Sequence, residues 1–103
     1  MANIYAMYKQ PADAAAFDRY YYDVHVPMAK KIPGLEAYQV TRGTIATVGG
    51  GSAPYHLIAT LTFSSLAAIN AALVSPQGQA VAADLGNFAT SGVDLYIAET
   101  DTI

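Results

Sequence analysis

The sequence predicts a single α+β domain over residues 1–103, with a four-stranded antiparallel sheet and helices on one face. Three observations predict it. Strand-like and helical segments follow one another in the order βαββαβ, which is the ferredoxin-like split βαβ arrangement. A chain of 103 residues is long enough for one hydrophobic core and too short for two. The strands also carry apolar side chains on both faces, so the face without helices is expected to be covered.

The first half of the chain predicts a strand and an irregular helix. Residues 3–9, NIYAMYK, are aromatic and aliphatic and read as the first strand. Pro11 and Asp13 then favour the start of a helix. Its apolar stripe, at helical spacing, comprises Phe17, Tyr20, Tyr21, Val24 and Met28. Pro27 disfavours helical geometry at Val26, so we expect a kink or an interruption there.

The second half predicts three strands and a broken helix. Residues 35–48 read as the second strand with a bulge or bend at Gly43, and GGGSAP follows as a hairpin tip. Residues 55–63, nearly apolar throughout, read as the third strand. Ser64 or Ser65 caps a helix through SLAAINAALVS, and SPQGQ separates it from a second helical piece, QAVAADLGNFA. The closing VDLYIAET is the last strand.

The two faces of the strands predict a homodimer. Strand three places Tyr55, Leu57, Ala59, Leu61 and Phe63 on one side, and His56, Ile58, Thr60 and Thr62 on the other. Only 13% of the residues are charged, against roughly 25% in an average soluble domain, so part of the surface is expected to be buried. The simplest cover for the second face is a second copy of the sheet. Two facing sheets would then enclose a cavity.

Composition and motifs exclude several functional classes. The net charge is −3 and only five residues are basic, so neither nucleic acid nor a membrane surface is expected as a partner. There is no cysteine, no signal-peptide pattern and no apolar stretch that could span a bilayer, which favours a soluble cytoplasmic protein. The two histidines form no metal-binding pattern and no nucleotide motif occurs, so no metal or cofactor is expected.

One long stretch, YYYDVHVPMAKKIPGLEAYQVTRG, resembles the signature of the EthD family: a tyrosine-rich helix, His-x-Pro, then Pro-Gly before the second strand. The segments PYHLIATLTFSSLAAINAAL and SPQGQAVAADLGNFATSGVDLY are similar to the same family, so the resemblance covers nearly the whole chain. It implies a dimeric α+β barrel, in which two ferredoxin-like sheets face each other. The family takes its name from ethyl tert-butyl ether degradation, and most members have no established reaction. The resemblance therefore implies the fold rather than an activity.

His25 is the first candidate for catalysis. On a helix it neighbours Tyr21 and Tyr22, which would polarise a substrate while His25 acts as acid or base. The position also matches the His-x-Pro of the family resemblance. The alternative is a packing histidine that bonds a backbone carbonyl freed by the interruption at Pro27.

Eight further residues are predicted to bind a substrate. Tyrosines combine an apolar ring with a polar tip, which suits a cavity for a small hydrophobic or aromatic molecule, although they could equally fill the core and a dimer seam. His56 faces either a cavity or solvent, and Arg42 either orients an anionic or carbonyl group or forms a surface ion pair. Asp84 is expected to cap a helix, and the alternative is that it orients His25. The set comprises Tyr5, Tyr20, Tyr38, Arg42, His56, Asp84, Phe88 and Tyr96.

These observations leave functions of different classes open. The first is cofactor-free proton transfer of the isomerase or lyase type on a small hydrophobic or aromatic metabolite held in the dimeric barrel. The second is a non-catalytic binding or accessory protein of a degradative oxygenase system, acting on ethers or other xenobiotics. The third is a dimer with no site at all. The sequence does not decide whether there is turnover.

Overall fold

The computed structural model describes all 103 residues and confirms the ferredoxin-like α+β fold. The strands are β1 (Ala2–Lys9), β2 (Ala37–Val40), β3 (Tyr55–Phe63) and β4 (Val93–Glu99), and they pair antiparallel in the order β2-β3-β1-β4. The helices are α1 (Ala14–Tyr20), α2 (Val26–Ala29), α3 (Leu66–Val74) and α4 (Pro76–Phe88), with a π-helical turn, Tyr21–His25, between α1 and α2. No helix is long and apolar enough to cross a membrane.

The second strand is much shorter than predicted. The sequence predicts a strand over residues 35–48, but pairing with β3 ends at Val40, and Thr41 adds one further backbone bond to Ile58. Gly43 follows with a φ of 76°, a left-handed conformation that turns the chain away from the sheet. The bend expected at Gly43 is therefore present, but it ends the strand instead of interrupting it.

The irregularity expected before Pro27 takes the form of a wide helical turn. The backbone N–H of Val26 donates to the carbonyl of Tyr21, five residues back, which is the hydrogen bond of a π-helix. Val26 itself keeps helical dihedral angles, and the helix passes through Pro27 without a break. The predicted interruption is thus a local widening that lies over the segment holding His25.

Serine caps and a close contact set the positions of α3 and α4. Ser65, rather than Ser64, caps α3 by accepting the backbone N–H of Ala68, and Ser75 caps α4 by accepting that of Gly78. A Cβ atom at Gly78 would overlap the backbone carbonyl of Ala72. The absence of a side chain at this glycine lets α4 start directly against the end of α3.

The helices cover one face of the sheet, where they enclose the core. Tyr8 on β1 and Leu57 on β3 point towards the helices and pack with Phe17, Tyr21 and Phe88. The opposite face is covered by nothing within the chain. Its side chains, which alternate with the core residues along the strands, include Tyr5, Met7, Ile58, Thr60, Tyr96 and Ala98.

Candidate active site

His25 is buried at the end of the π-helical turn, with 3% of its surface exposed. Its ring packs against Phe88, at a centroid distance of 4.7 Å, and against Tyr21, at 5.5 Å. Its Nδ1 atom lies 2.9 Å from Oδ2 of Asp84. His25 therefore bonds a carboxylate, and the alternative role of satisfying a free backbone carbonyl is not what the structure shows.

Asp84, in the middle of α4, makes several hydrogen bonds through its carboxylate. Its Oδ1 accepts the Tyr20 hydroxyl at 2.5 Å and the Asn87 amide at 3.0 Å. Burial opposes ionisation of this carboxyl, but the bonds from Tyr20, Asn87 and His25 outweigh burial and hold its pKa below the ordinary value. Expecting Asp84 to cap a helix was wrong, because Ser75 caps α4 and Asp84 lies beyond its first two turns. Its Oδ2 atom instead bonds Nδ1 of His25.

The Asp84 carboxylate selects one tautomer of a neutral His25. An ionised carboxylate only accepts hydrogen bonds, so Nδ1 carries the proton and donates it to Asp84. The lone pair of the neutral ring is then on Nε2, which accepts a long hydrogen bond from the hydroxyl of Tyr8 at 3.5 Å. The pair therefore presents a basic nitrogen away from Asp84, as required of a general base.

Tyr8 is a site residue that the sequence analysis did not single out. It lies on β1 with 2% of its surface exposed, between Phe17, Tyr21 and Phe88. Burial, with smaller contributions from Tyr38 and Asp84, raises the pKa of its hydroxyl far above the ordinary value. Nothing local to β1 could show that its hydroxyl would meet His25, 17 positions further along the chain.

Tyr21 and Tyr38 share a short hydrogen bond across the core. Their hydroxyl oxygens lie 2.6 Å apart, one from the π-helical turn and one from β2. Burial raises the pKa of Tyr21 far above the ordinary value, and it also raises that of Tyr38. Two hydroxyls in one such bond use one proton between them, so the other proton remains available for a further acceptor.

Tyr8, Tyr21, His25 and Tyr38 contact one another and form the polar end of a pocket of about 250 Å3, whose lining does not include Asp84. Of its 19 lining residues, 17 are hydrophobic, and its polar atoms come from His25 and from tyrosine hydroxyls. The mouth of the pocket lies at the edge strand β4. It is formed by lining residues that are each about half exposed, namely Leu73 on α3 and Leu95, Tyr96 and Ile97 on β4. The pocket lies between the sheet and the helices of one chain. It is thus on the opposite side of the sheet from the cavity that the sequence led us to expect between two sheets.

The remaining predicted site residues fall into two groups. Tyr20 and Phe88 do not line the pocket but contact the residues around His25. Tyr20 bonds Asp84 and stacks on Phe88, and Phe88 packs on His25. Tyr5 lies on the uncovered face of the sheet, where its hydroxyl accepts the amide of Asn3. The structure therefore brings four of the predicted residues to the polar end of the pocket or its mouth, namely His25, Tyr21, Tyr38 and Tyr96.

Tyr22, Arg42 and His56 line a separate pocket and do not meet His25. His56 lies at a register shift between β1 and β3, which interrupts the strict alternation of side chains along the strand. Its ring contacts Phe17, and its Nε2 atom lies 2.8 Å from Oδ1 of Asp18 on α1. The placement of His56 with Thr60 and Thr62 was therefore wrong.

Metal coordination has little support at either pocket. No group of three or more His, Asp or Glu side chains lies close enough together to hold a metal ion. At the first pocket, His25 and Asp84 are each engaged with the other. The chemistry available there is hydrogen bonding and proton transfer by an imidazole and phenolic hydroxyls.

Comparisons with known proteins identify relatives of the whole chain. Residues 9–92 match the EthD domain. An uncharacterised 11.0 kDa protein encoded in the thcB-thcC intergenic region of Rhodococcus erythropolis is 35% identical over 103 residues, which cover 100% of this chain and 98% of that protein. An EthD family protein from Bacillus halodurans C-125 superposes with a TM-score of 0.89 at 32% identity, covering 98% of this chain and 99% of the other. A dimeric ferredoxin-like protein of unknown function from Jannaschia sp. CCS1 superposes with a TM-score of 0.65 at 19% identity, covering 97% of this chain and 100% of the other.

Proposed function

The chain belongs to the EthD family, and from that premise we propose that it catalyses cofactor-free proton transfer, of the isomerase or lyase type, on a small and largely apolar molecule. The observation that carries the proposal is the bond between His25 and Asp84 at the polar end of an otherwise apolar pocket. A buried carboxylate that orients an imidazole is a recurrent arrangement for a general base.

In the proposed reaction, Nε2 of His25 takes a proton from a carbon next to a substrate carbonyl. The electron pair of the broken C–H bond moves to the carbonyl oxygen and gives an enolate, while the imidazole becomes an imidazolium. Asp84 stays ionised and stabilises that positive charge through the bond to Nδ1. Where a C=C bond adjoins the deprotonated carbon, the enolate is a dienolate, and return of the proton to its far carbon completes an isomerisation. Where a leaving group is on the neighbouring carbon, its departure with the proton of the imidazolium completes an elimination.

The buried tyrosines supply hydrogen bonds to the developing negative charge. The pair Tyr21–Tyr38 has one proton free for another acceptor. The Tyr8 hydroxyl donates to Nε2 of His25 in the free protein, and protonation of Nε2 in the reaction frees it to donate to the oxyanion. Because burial raises the pKa values of Tyr8 and Tyr21, both remain protonated donors at neutral pH. Donors fixed in a dry pocket stabilise an oxyanion more strongly than water does.

The lining limits the substrate to an uncharged molecule of about one ring. No lysine, arginine or carboxylate lines the pocket, so a charged substrate would be desolvated without a partner. An apolar cavity of about 150 Å3 holds benzene. A pocket of about 250 Å3 therefore accommodates a single ring with one or two substituents, one of which carries the oxygen.

We include a homodimer in the proposal. The face of the sheet opposite the helices exposes aromatic and aliphatic side chains, among them Tyr96, which is 59% exposed. A second copy packed on this face would remove that surface from water. The dimeric ferredoxin-like protein from Jannaschia sp. CCS1 supports this assembly in a chain of the same fold.

Deuterium exchange tests the proposed reaction without knowledge of the natural substrate. Phenylacetone and 2-indanone, each with one benzene ring and an acidic C–H next to a carbonyl, would be incubated in D2O with wild type and followed by proton NMR. Wild type should accelerate loss of the C–H signal, and His25→Gln should abolish the acceleration. Tyr22→Phe, which alters a residue outside this pocket, is the matched control and should exchange like wild type. Equal acceleration by His25→Gln and wild type would overturn the proposal.

A second candidate is a binding or accessory protein of a degradative oxygenase system that performs no turnover. The predominance of hydrophobic groups in the lining, 17 of 19 residues, favours it, since such a pocket binds apolar molecules without chemistry. Saturable binding of both ketones without any exchange would support this candidate over the enzyme.

A further inference from the structure

We propose a second ligand site on the same chain, for a small organic carboxylate, in the pocket that contains Arg42. This pocket, called here the Arg42 pocket, has a volume of about 290 Å3 and is lined by Gln10, Asp18, Tyr22, Thr41, Arg42, Gly43, Thr44, Ile45, Tyr55, His56 and Leu57. It lies where the chain leaves β2 and shares no lining residue with the pocket of His25.

Arg42 supplies a cation that no carboxylate of the chain neutralises. The chain has two contacts between a histidine and a carboxylate, His25–Asp84 and His56–Asp18, and Arg42 belongs to neither. The other charged group of the Arg42 pocket, Asp18, is engaged with Nε2 of His56 at 2.8 Å. A guanidinium in a pocket without its own counterion matches the two oxygens of a carboxylate.

The backbone around Arg42 supplies further donors. The N–H groups of four consecutive residues, 42–45, donate no hydrogen bond within the chain, and all four residues line the pocket. The positive φ of Gly43 sets the turn that carries them. Successive free backbone N–H groups at such a turn are a recurrent feature of anion sites.

Charge and lining together favour an organic carboxylate over a phosphate. Arg42 contributes the one positive charge of an arginine or lysine in the pocket, and one oxygen of Asp18 is already bonded to His56, so the pocket suits a single negative charge better than two. Tyr22 and Leu57 provide aromatic and aliphatic surface beside the donors, against which the organic part of a ligand would pack. The ligand class is therefore a monoanion with a small apolar body.

A titration of 15N-labelled protein with sodium benzoate, at constant ionic strength, tests this site. Benzoate should shift the backbone amide signals of residues 42–45 saturably, whereas benzamide, its neutral analogue, should not. Arg42→Gln should lower the affinity for benzoate at least tenfold. Arg19→Gln, which removes the other arginine, exposed on α1 and outside the pocket, should leave the affinity unchanged. The amide spectra of the variants would report that both remain folded.

Three results would overturn the proposal. Benzamide could bind as well as benzoate, Arg42→Gln could bind like Arg19→Gln, or the shifts could appear around His25 instead of at residues 42–45. Inorganic phosphate that shifts the same amides at lower concentration than benzoate would overturn the carboxylate assignment. Exchange of the ketones by Arg42→Gln should match wild type, so failure at this site and failure of the proposed reaction are distinguishable.

Discussion

Nδ1 of His25 lies 2.9 Å from Oδ2 of Asp84, although 59 positions separate the two residues in the chain. Both side chains are almost fully buried, with 3% and 5% of their surfaces exposed. A buried carboxylate is costly unless it is paired and hydrogen-bonded, and Asp84 accepts bonds from Tyr20 and Asn87 as well. Burial and these hydrogen bonds therefore fix the positions of His25 and Asp84. The predictions on catalysis and acid stability depend on this pair.

Asp84 acts on the reaction through His25, so its replacement should lower the rate more than the binding. We expect Asp84→Asn to reduce ketone exchange by roughly 10²–10⁴-fold, the usual contribution of a general base that has lost its orientation. Ketone affinity should change little, because Asp84 does not line the pocket. Saturation kinetics of exchange separate the two effects, and Asp84→Glu should recover part of the rate. An equal loss of affinity and rate would indicate a structural role instead.

The depressed pKa of Asp84 predicts a loss of stability in acid. Since the folded-state pKa lies below the unfolded value of roughly 3.9, ionised Asp84 stabilises the native state above that pH. The stabilisation is lost as the pH falls through the folded-state pKa. Urea unfolding between pH 7 and pH 2 should show this decline in wild type and a shallower one in Asp84→Asn. Parallel curves for the two proteins would contradict the assignment.

The raised pKa of Tyr8 predicts a loss of stability in alkali. Tyr8 stays protonated in the native state while the unfolded chain releases its proton above about pH 10, so stability falls as pH rises. One such group costs about 1.4 kcal/mol for each pH unit in this window. Tyr8→Phe should reduce the slope of unfolding free energy between pH 10 and 12 by about that amount. An unchanged slope would mean that the Tyr8 hydroxyl ionises in the folded protein.

Alanine substitutions at Gly78 and Gly86, both in α4, should change the stability of the protein in opposite directions. A Cβ at Gly78 would overlap the carbonyl of Ala72, so Gly78→Ala should destabilise the protein by about 1–3 kcal/mol. Gly86 has open space around it and an ordinary helical environment, so Gly86→Ala should stabilise by roughly 0.5–1 kcal/mol. Urea midpoints measure both. A neutral Gly78→Ala would show that α3 and α4 can separate at little cost.

The uncovered face of the sheet predicts self-association. Wild type should sediment as a dimer at micromolar concentration, and Met7→Lys, which places a charge on that face in the central strand β1, should sediment as a monomer. Val48→Lys is the matched control, because Val48 is fully exposed in the loop after β2. It should remain dimeric. A monomeric wild type would remove the dimer from the proposed function.

The local predictions held wherever short-range chemistry controls the outcome. The order of strands and helices follows from hydrophobic periodicity, and Asp13 caps α1 as expected because a cap needs only its own turn. The error at strand two has a cause outside the local sequence. Gly43 was recognised as a bend, but whether a strand continues beyond a bend depends on the partner strand that remains within reach.

The site was predictable only in part, because its residues come from different elements. His25 and Tyr21 stand out in one helical segment, whereas Tyr8, Tyr38 and Asp84 join them from β1, β2 and α4. The sequence could propose a bond between His25 and Asp84 but could not choose it over a helix cap. That choice depends on the distance between the helical segment of His25 and α4, and this distance cannot be derived from the separation of the two residues in the sequence.

The sequence by itself determined the fold class, the family resemblance and a histidine set among tyrosines, since each depends on residue type and order. The tertiary structure decided which side of the sheet holds the pocket, because the helices cover one face and leave space beneath them. It also divided the predicted residues between two pockets, one with His25 and one with Arg42. Side chains distant in sequence share a pocket only when packing brings their elements together, and packing is a property of the whole chain.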